Sequence, residues 1–338
     1  MKGRRFIMRA IIHAGARGIH GLQYTQQANR YPGKGEVKVR LKAAGLNHRD
    51  LFLMNSPVDL EASFIPGSDG SGIVEAVGEG VTNVRIGAEV IINPCLGWEN
   101  MNQVPIVPEI LGGPTDGTLA EFVIIPQENA IEKPSYLSWE EAGVLSLSAM
   151  TAYRALFTKG NLQPGEHVLI PGIGGGVATY AAMMAAAIGA KVSVTSRSEE
   201  KLEMARKIPI NQAVDSRSDW KESMGSGSVD LILDSIGPAT FQKYFDVIKP
   251  NGRIVMFGSS SGDDITIPTR AIFFPQITIT GTSMASGQEY KDMVDFMEKH
   301  SIHPMVDSTY FLKDTALAYE RMERGEQFGN ISILIREE

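Results

Sequence analysis

One stretch limits the fold of this chain more than any other: His167–Lys201, HVLIPGIGGGVATYAAMMAAAIGAKVSVTSRSEEK. Val168–Pro171 is an apolar run of strand length, and Gly172–Gly176 is a turn too rich in glycine for ordinary helix or sheet. Val177–Ile188 is alanine-rich and helix-forming, Gly189 ends it, and Val192–Thr195 begins a second strand. Strand, glycine turn, helix and strand make the βαβ unit that holds a dinucleotide. In that unit Gly172 allows the tight turn, while Gly174, Gly175 and Gly176 let a pyrophosphate approach the backbone. The first N–H groups of the helix, starting at Val177, point at the phosphate with the helix dipole behind them. The spacing departs from the usual fingerprint, because Val177 stands at the third glycine position. The order of elements around the turn carries the reading.

The end of the second strand selects the dinucleotide. An NAD site places Asp or Glu there to bond the ribose 2′-OH. This chain has Ser196, Arg197 and Ser198, then Lys201 one turn later, with the first acids at Glu199 and Glu200. A hydroxyl, a guanidinium and an ammonium suit a 2′-phosphate, which a strand-end carboxylate would repel. The expected cofactor is NADP(H).

The rest of the chain sets bounds. Its 338 residues suffice for two domains with a large core. A formal charge of −7 with no basic stripe argues against a nucleic-acid partner. No apolar run reaches membrane-span length, so no membrane partner is expected. The basic start, MKGRRFIMRAIIHAG, lacks the apolar core of a signal peptide, and Met8 offers a second possible start. A lone Cys95 excludes internal disulfides and cysteine-based zinc knuckles. The expected compartment is the cytoplasm.

Residues 8–130 read as β-rich, with short runs such as Glu36–Leu41 and Gly72–Val77. Glu140–Phe157 reads as one helix, with Ser138 as its cap. From Val168 strands and helices alternate, as a parallel sheet demands. Val229–Asp234 is apolar enough to be buried on both faces. Ile331–Ile335 closes the chain as a strand. The expected class is α/β: a β-rich domain over 1–137, a doubly wound parallel sheet over 138–284, and a segment, 285–338, that returns to the first domain.

Seven motifs in this order carry a resemblance to a known family. They are GLNHRD at Gly45–Asp50, PGSDGSGIVEAVGEGV at Pro66–Val81 and DGTLAEFVIIP at Asp116–Pro126. LSAMTAYRAL at Leu147–Leu156, the glycine turn, VDLILDSIG at Val229–Gly237 and NGRIVMFGSSSG at Asn251–Gly262 complete the set. Together they resemble the medium-chain dehydrogenase/reductase superfamily, which includes zinc-type alcohol dehydrogenases and quinone oxidoreductases. The resemblance spans essentially the whole chain. It implies a GroES-like catalytic domain, a Rossmann domain and a cleft between them. It also implies that Thr151 and Thr282 lie near the nicotinamide and that Ser235 and Ile236 flank the adenosine ribose and pyrophosphate. Phe257, Gly258 and Ser259 are then expected to end a strand at the ligand-binding edge, and Asn330 to close over the cofactor.

The departures bear on chemistry. Where such alcohol dehydrogenases place a zinc-binding cysteine this chain has Asn47, and for their histidine ligand it has Ser68. The third ligand position falls at about Leu147, and Leu96–Gly113, where a structural zinc would sit, lacks a ligand set. Zinc needs three nitrogen, sulfur or carboxylate donors and an open position. No metal is expected. Without a Lewis acid, alcohol oxidation is hard, whereas reduction of a quinone or an α,β-unsaturated carbonyl needs only a hydrogen-bond donor for the developing enolate. The resemblance to zinc-less members implies that activity, with Asn47 and His48 as catalytic candidates, Asn47 either donating to the carbonyl or binding the cofactor by orienting the nicotinamide ribose, and Arg49–Asp50 as a fold-holding ion pair. An enoyl-thioester reductase, an alcohol dehydrogenase and an NADPH-binding sensor without turnover remain as alternatives. Phe52, Met54, Trp98, Phe273, Phe274 and Met284 are candidates to line a pocket for a small apolar substrate. The family also implies a homodimer, paired through the Ile277–Thr280 strand.

Overall fold

The computed structural model describes residues 7–56 and 63–336. The first six residues of the basic N-terminal stretch lie outside it. The chain divides into two compact units, residues 1–148 with 286–338, and residues 149–285. The sequence reading puts the first boundary at 137/138. The observed one lies later, because the helix Trp139–Gly143 packs on the strands Glu36–Gly45 and Asp69–Val77 of the first unit. Gly45 and Gly143 permit that approach: a Cβ on Gly45 would lie 2.8 Å from the Gly143 carbonyl oxygen.

The first unit is built on a seven-stranded sheet. Its order is Val306–Phe311, Asn330–Leu334, Glu36–Gly45, Asp69–Val77, Glu89–Ile92 and Ala130–Glu132, and Phe122–Pro126 pairs with Glu36–Gly45 as well. Asn330–Leu334 runs antiparallel to the first-domain strand, with Ser332 opposite Gly45. The strand Asn330–Leu334 thus lies in the sheet of the first unit. Alternating inward residues such as Val37, Val39 and Leu41 join Ile92, Ile331 and Ile333 in one core.

The second unit is a six-stranded sheet, parallel throughout. Its order is Gln212–Asp215, Lys191–Ser196, His167–Ile170, Val229–Asp234, Ile248–Met256 and Thr278–Gly281. Numbered along the chain, that is 3-2-1-4-5-6, the Rossmann order. His167–Ile170 is buried along its whole length, and so is Val229–Asp234 apart from Asp230, as a sheet covered on both faces requires.

Ser138 caps its helix as expected: its Oγ accepts from the Glu141 amide, and Glu141 returns the bond to the Ser138 N–H. The helix does not run to Phe157, however. It stops at Gly143, resumes over Ser146–Tyr153, and widens into a π-helix over Arg154–Lys159. Just after the break the Leu147 amide donates to Asp69 Oδ1 at 2.7 Å. Among the described residues, no helix is long and apolar enough to cross a membrane.

Candidate active site

The glycine turn follows the His167–Ile170 strand at the point where the strand order reverses. Gly172 has φ +74°, and a Cβ there would lie 2.5 Å from Ile236 Cδ1. Gly174 has φ +138°, and its Cβ would lie 3.0 Å from Lys201 Nζ. Neither position admits another residue without strain. Gly175 is the N-cap of the helix Gly176–Ala187, and no side chain caps that end. Open space surrounds its Cβ position. The first backbone N–H groups of the helix, Val177 among them, have no intrahelical acceptor. These features fit a phosphate.

Around this turn the parallel sheet gathers its carboxyl ends. Ser196 Oγ accepts from the Ser198 N–H at 3.1 Å, and Ser198 Oγ accepts from the Lys201 N–H at 3.3 Å, so Ser198 caps the helix Glu199–Ala205 and Lys201 sits in its first turn beside the strand end. Lys201 lies across Gly174, while Arg197 is exposed and makes no hydrogen bond or ion pair among the described residues. Asp234, fully buried, accepts from the Ile236 and Gly237 amides and from the Tyr244 hydroxyl, which fixes the Ser235–Ile236 turn. Gly258 approaches Ser235 closely, and Phe257 donates its N–H to the Asp234 carbonyl at 2.9 Å. Ser259 donates to Asp263. Thr282 donates its N–H to the Met256 carbonyl, and its hydroxyl accepts from Arg154 Nε at 3.2 Å. Thr151 is buried in the same unit.

The second cluster belongs to the first unit. Asn47 lies two residues past the strand Glu36–Gly45 as the N-cap of the helix His48–Asn55, where Asp50 Oδ2 accepts its backbone N–H at 2.9 Å. Its side chain is buried. Nδ2 donates to Asp69 Oδ2 at 3.1 Å, and Oδ1 accepts from Ser148 Oγ at 3.3 Å. Ser148 in turn accepts from Asn330 Nδ2 at 3.4 Å, and Asn330 Oδ1 is buried with no partner. Burial pushes the Asp69 carboxyl up to about 7 against the pull of the Asn47 and Leu147 N–H groups. Burial likewise lifts Asp50 to about 6, opposed by the Asn47 N–H and the Tyr319 hydroxyl.

Several expectations change here. Arg49 and Asp50 do not pair: Arg49 donates to the Gly113 and Ile110 carbonyls, and Asp50 turns inward to Asn47 and Tyr319. Adjacent residues on a helix point in different directions. His48 is exposed, with its ring 3.5 Å from the Gln327 amide. Met54 belongs to the core of the first unit and Trp98 is buried, so neither offers an open lining, whereas Phe52, Phe273 and Phe274 are exposed and Met284 is buried in the second unit. Sequence reasoning assigns no role to Ser148 or Asp69. No local signal ties them to Asn47, since they lie 101 and 22 residues away.

The residues at the metal-ligand positions do not fit zinc. Asn47 offers an amide already bonded on both sides, Ser68 Oγ is a donor to the Leu111 carbonyl, and Leu147 brings an alkyl chain. Among the described residues, no group of three or more His, Cys, Asp or Glu is placed to hold a metal.

Comparison with known proteins settles the kinship. Residues 33–135 match the family model described as alcohol dehydrogenase GroES-like domain, and residues 176–299 match that described as zinc-binding dehydrogenase. A zinc-type alcohol dehydrogenase-like protein of Leptosphaeria maculans is 34% identical, over 95% of this chain and 96% of that one. The chain belongs to the medium-chain dehydrogenase/reductase superfamily. This oxidoreductase also superposes on the crystal structure of an NAD-dependent alcohol dehydrogenase with a TM-score of 0.90 and 33% identity, covering 97% of this chain and 100% of that one. Crotonyl-CoA carboxylase/reductase of Cereibacter sphaeroides is 27% identical, over 89% of this chain and 80% of that protein.

Proposed function

We propose that this dehydrogenase-fold protein is an NADPH-dependent reductase of quinones or α,β-unsaturated carbonyls that works without zinc. The observation that carries the reading is Asn47: a buried amide, fixed by Asp69 and Ser148, where zinc-type relatives need a thiolate. An amide N–H stabilises a developing enolate oxygen, but it cannot lower the pKa of an alcohol as a metal does. When bound, NADPH supplies the hydride. The chain's own residues bind and orient. Gly172 and Gly174 leave room for the pyrophosphate, and the uncapped helix end at Gly175 supplies N–H donors. Ser196, Arg197 and Lys201 receive the 2′-phosphate. Thr151, Ser235, Ile236, Phe257, Gly258, Ser259 and Thr282 form the rest of the cofactor surface. Exposed His48 serves as a route for a proton.

Titration with NADPH and NADH, followed by nicotinamide fluorescence, tests the cofactor. Arg197→Ala should weaken NADPH by about ten- to a hundredfold, the loss of one charge-assisted phosphate contact, and leave NADH unchanged. Equal binding of both dinucleotides overturns the assignment. A steady-state panel of quinones and enones tests the reaction, and absence of turnover across it favours a sensor. The crotonyl-CoA carboxylase/reductase likeness favours enoyl thioesters as the second reading.

We further propose a homodimer. Among the described residues Thr278–Gly281 is the edge strand of its sheet. Light scattering at the mass of one chain overturns it.

A further inference from the structure

An amide side chain can be placed two ways, with its donor and acceptor ends exchanged. Asn47 is pinned at both ends. Nδ2 faces Asp69 Oδ2 at 3.1 Å and Oδ1 faces Ser148 Oγ at 3.3 Å, in a cluster where all three residues are less than 5% exposed. Asp69 is itself held, because its other oxygen accepts the Leu147 N–H at 2.7 Å. Thr118 Oγ1 donates to the Asp69 carbonyl at 2.7 Å and fixes the backbone beneath it.

We propose that Asp69 is a positioning residue that locks the Asn47 amide with its N–H2 toward the carboxylate, leaving the second N–H free for the acceptor's carbonyl oxygen. This rests on the reading of Asn47 as the carbonyl donor. An ionised Asp69 accepts only, so a flipped amide would set oxygen against oxygen. A protonated Asp69 donates, and it accommodates the flipped amide as well. The lock is therefore tight when Asp69 is charged and loose when it is neutral. The groups that face Asp69 do not neutralise it. Asp50, beyond Asn47, raises its proton affinity, and Leu147 presents a backbone N–H. From the helix Gly287–Lys299 comes Tyr290, bonded to Ser146 and itself held protonated by burial. Among the described residues, no Lys, Arg or His forms an ion pair with Asp69.

Two readouts on the full-length protein test the lock. In the first, the Asn47 side-chain N–H2 signal, assigned by its loss in Asn47→Ala, is followed by 15N NMR from pH ~5.5 to ~8.5. It should titrate with a midpoint near 7 in the wild type and stay flat in Asp69→Asn. A signal indifferent to pH in the wild type overturns the proposal. In the second, Asp69→Asn should lower kcat for enone reduction by about tenfold or more, with KM for NADPH unchanged, and cost nothing further in an Asn47→Ala background. Additive losses overturn the proposal. Should Asp69→Asn not fold, Ser148→Ala probes the same amide from its oxygen side. Its kcat loss must then vanish in Asn47→Ala, and persistence overturns the lock. A wild type that reduces no quinone or enone defeats the reductase reading instead, and the NMR titration still decides whether Asp69 holds the amide.

Discussion

The two candidate sites are built on opposite principles. The glycine turn of the second unit is made of backbone: positive φ at Gly172 and Gly174, a helix end without a side-chain cap, and strand ends lined up by a parallel sheet. The Asn47 cluster of the first unit is made of side chains from four separate segments, joined through Asp69, Ser148 and Asn330. The first offers shape and backbone N–H groups, so side-chain identity matters only at its edges. In the second, each identity matters, because a buried polar group left without its partner costs about 1–3 kcal/mol.

Substitutions can break that contrast. The largest effect is expected for Gly174→Val. A side chain forced to φ +138° against Lys201 should remove measurable NADPH binding by fluorescence titration, a loss of more than about a hundredfold, while circular dichroism still reports a folded chain. Asn47→Ala should do the reverse. Enone kcat/KM should fall by about a hundred- to a thousandfold, as for loss of one oxyanion donor, with the NADPH Kd unchanged. If Asn47→Ala weakens cofactor binding as much as it slows turnover, the two sites are not separable in function. Lys201→Ala is milder than either. Its ammonium lies over Gly174, so NADPH affinity should drop by about tenfold while NADH affinity holds.

The smallest effect is on stability. Asp69 binds its proton more tightly in the folded chain, with its carboxyl lifted from 3.8 to about 7, chiefly by burial. Its contribution to stability is complete below the unfolded value and is lost as the pH rises through about 7. Asp50, lifted to about 6, follows the same sign. Asp69→Asn cannot ionise. The Tm of the variant minus that of the wild type should therefore become more positive from pH ~4 to pH ~8 by differential scanning calorimetry. A difference that shrinks over that range contradicts a raised carboxyl.

The same contrast explains what was legible in the sequence. His167–Ile170, the turn and Gly176–Ala187 are contiguous, so periodicity and glycine punctuation place them to within a residue or two. Val229–Asp234 announces itself by an unbroken apolar run, and Ser138 with Glu141 by capping chemistry. The break after Gly143 has no local signal, and the helix restart beside it is tied to a residue far off in sequence, by the Leu147 N–H to Asp69. Arg49 and Asp50 illustrate the same limit. As neighbours in sequence they suggest a pair, yet one serves the Gly113 carbonyl and the other Asn47 and Tyr319. Asn47 stood out as the residue where a metal ligand is missing. That it is held by Asp69 and Ser148 emerges only from the fold.

The most direct measurement is NADPH-dependent enone reduction by protein stripped with a chelator and verified metal-free by mass spectrometry, before and after zinc is added back. Unchanged kcat/KM is expected of a reductase whose carbonyl donor is the Asn47 amide. Activity lost on stripping and restored by zinc would contradict it.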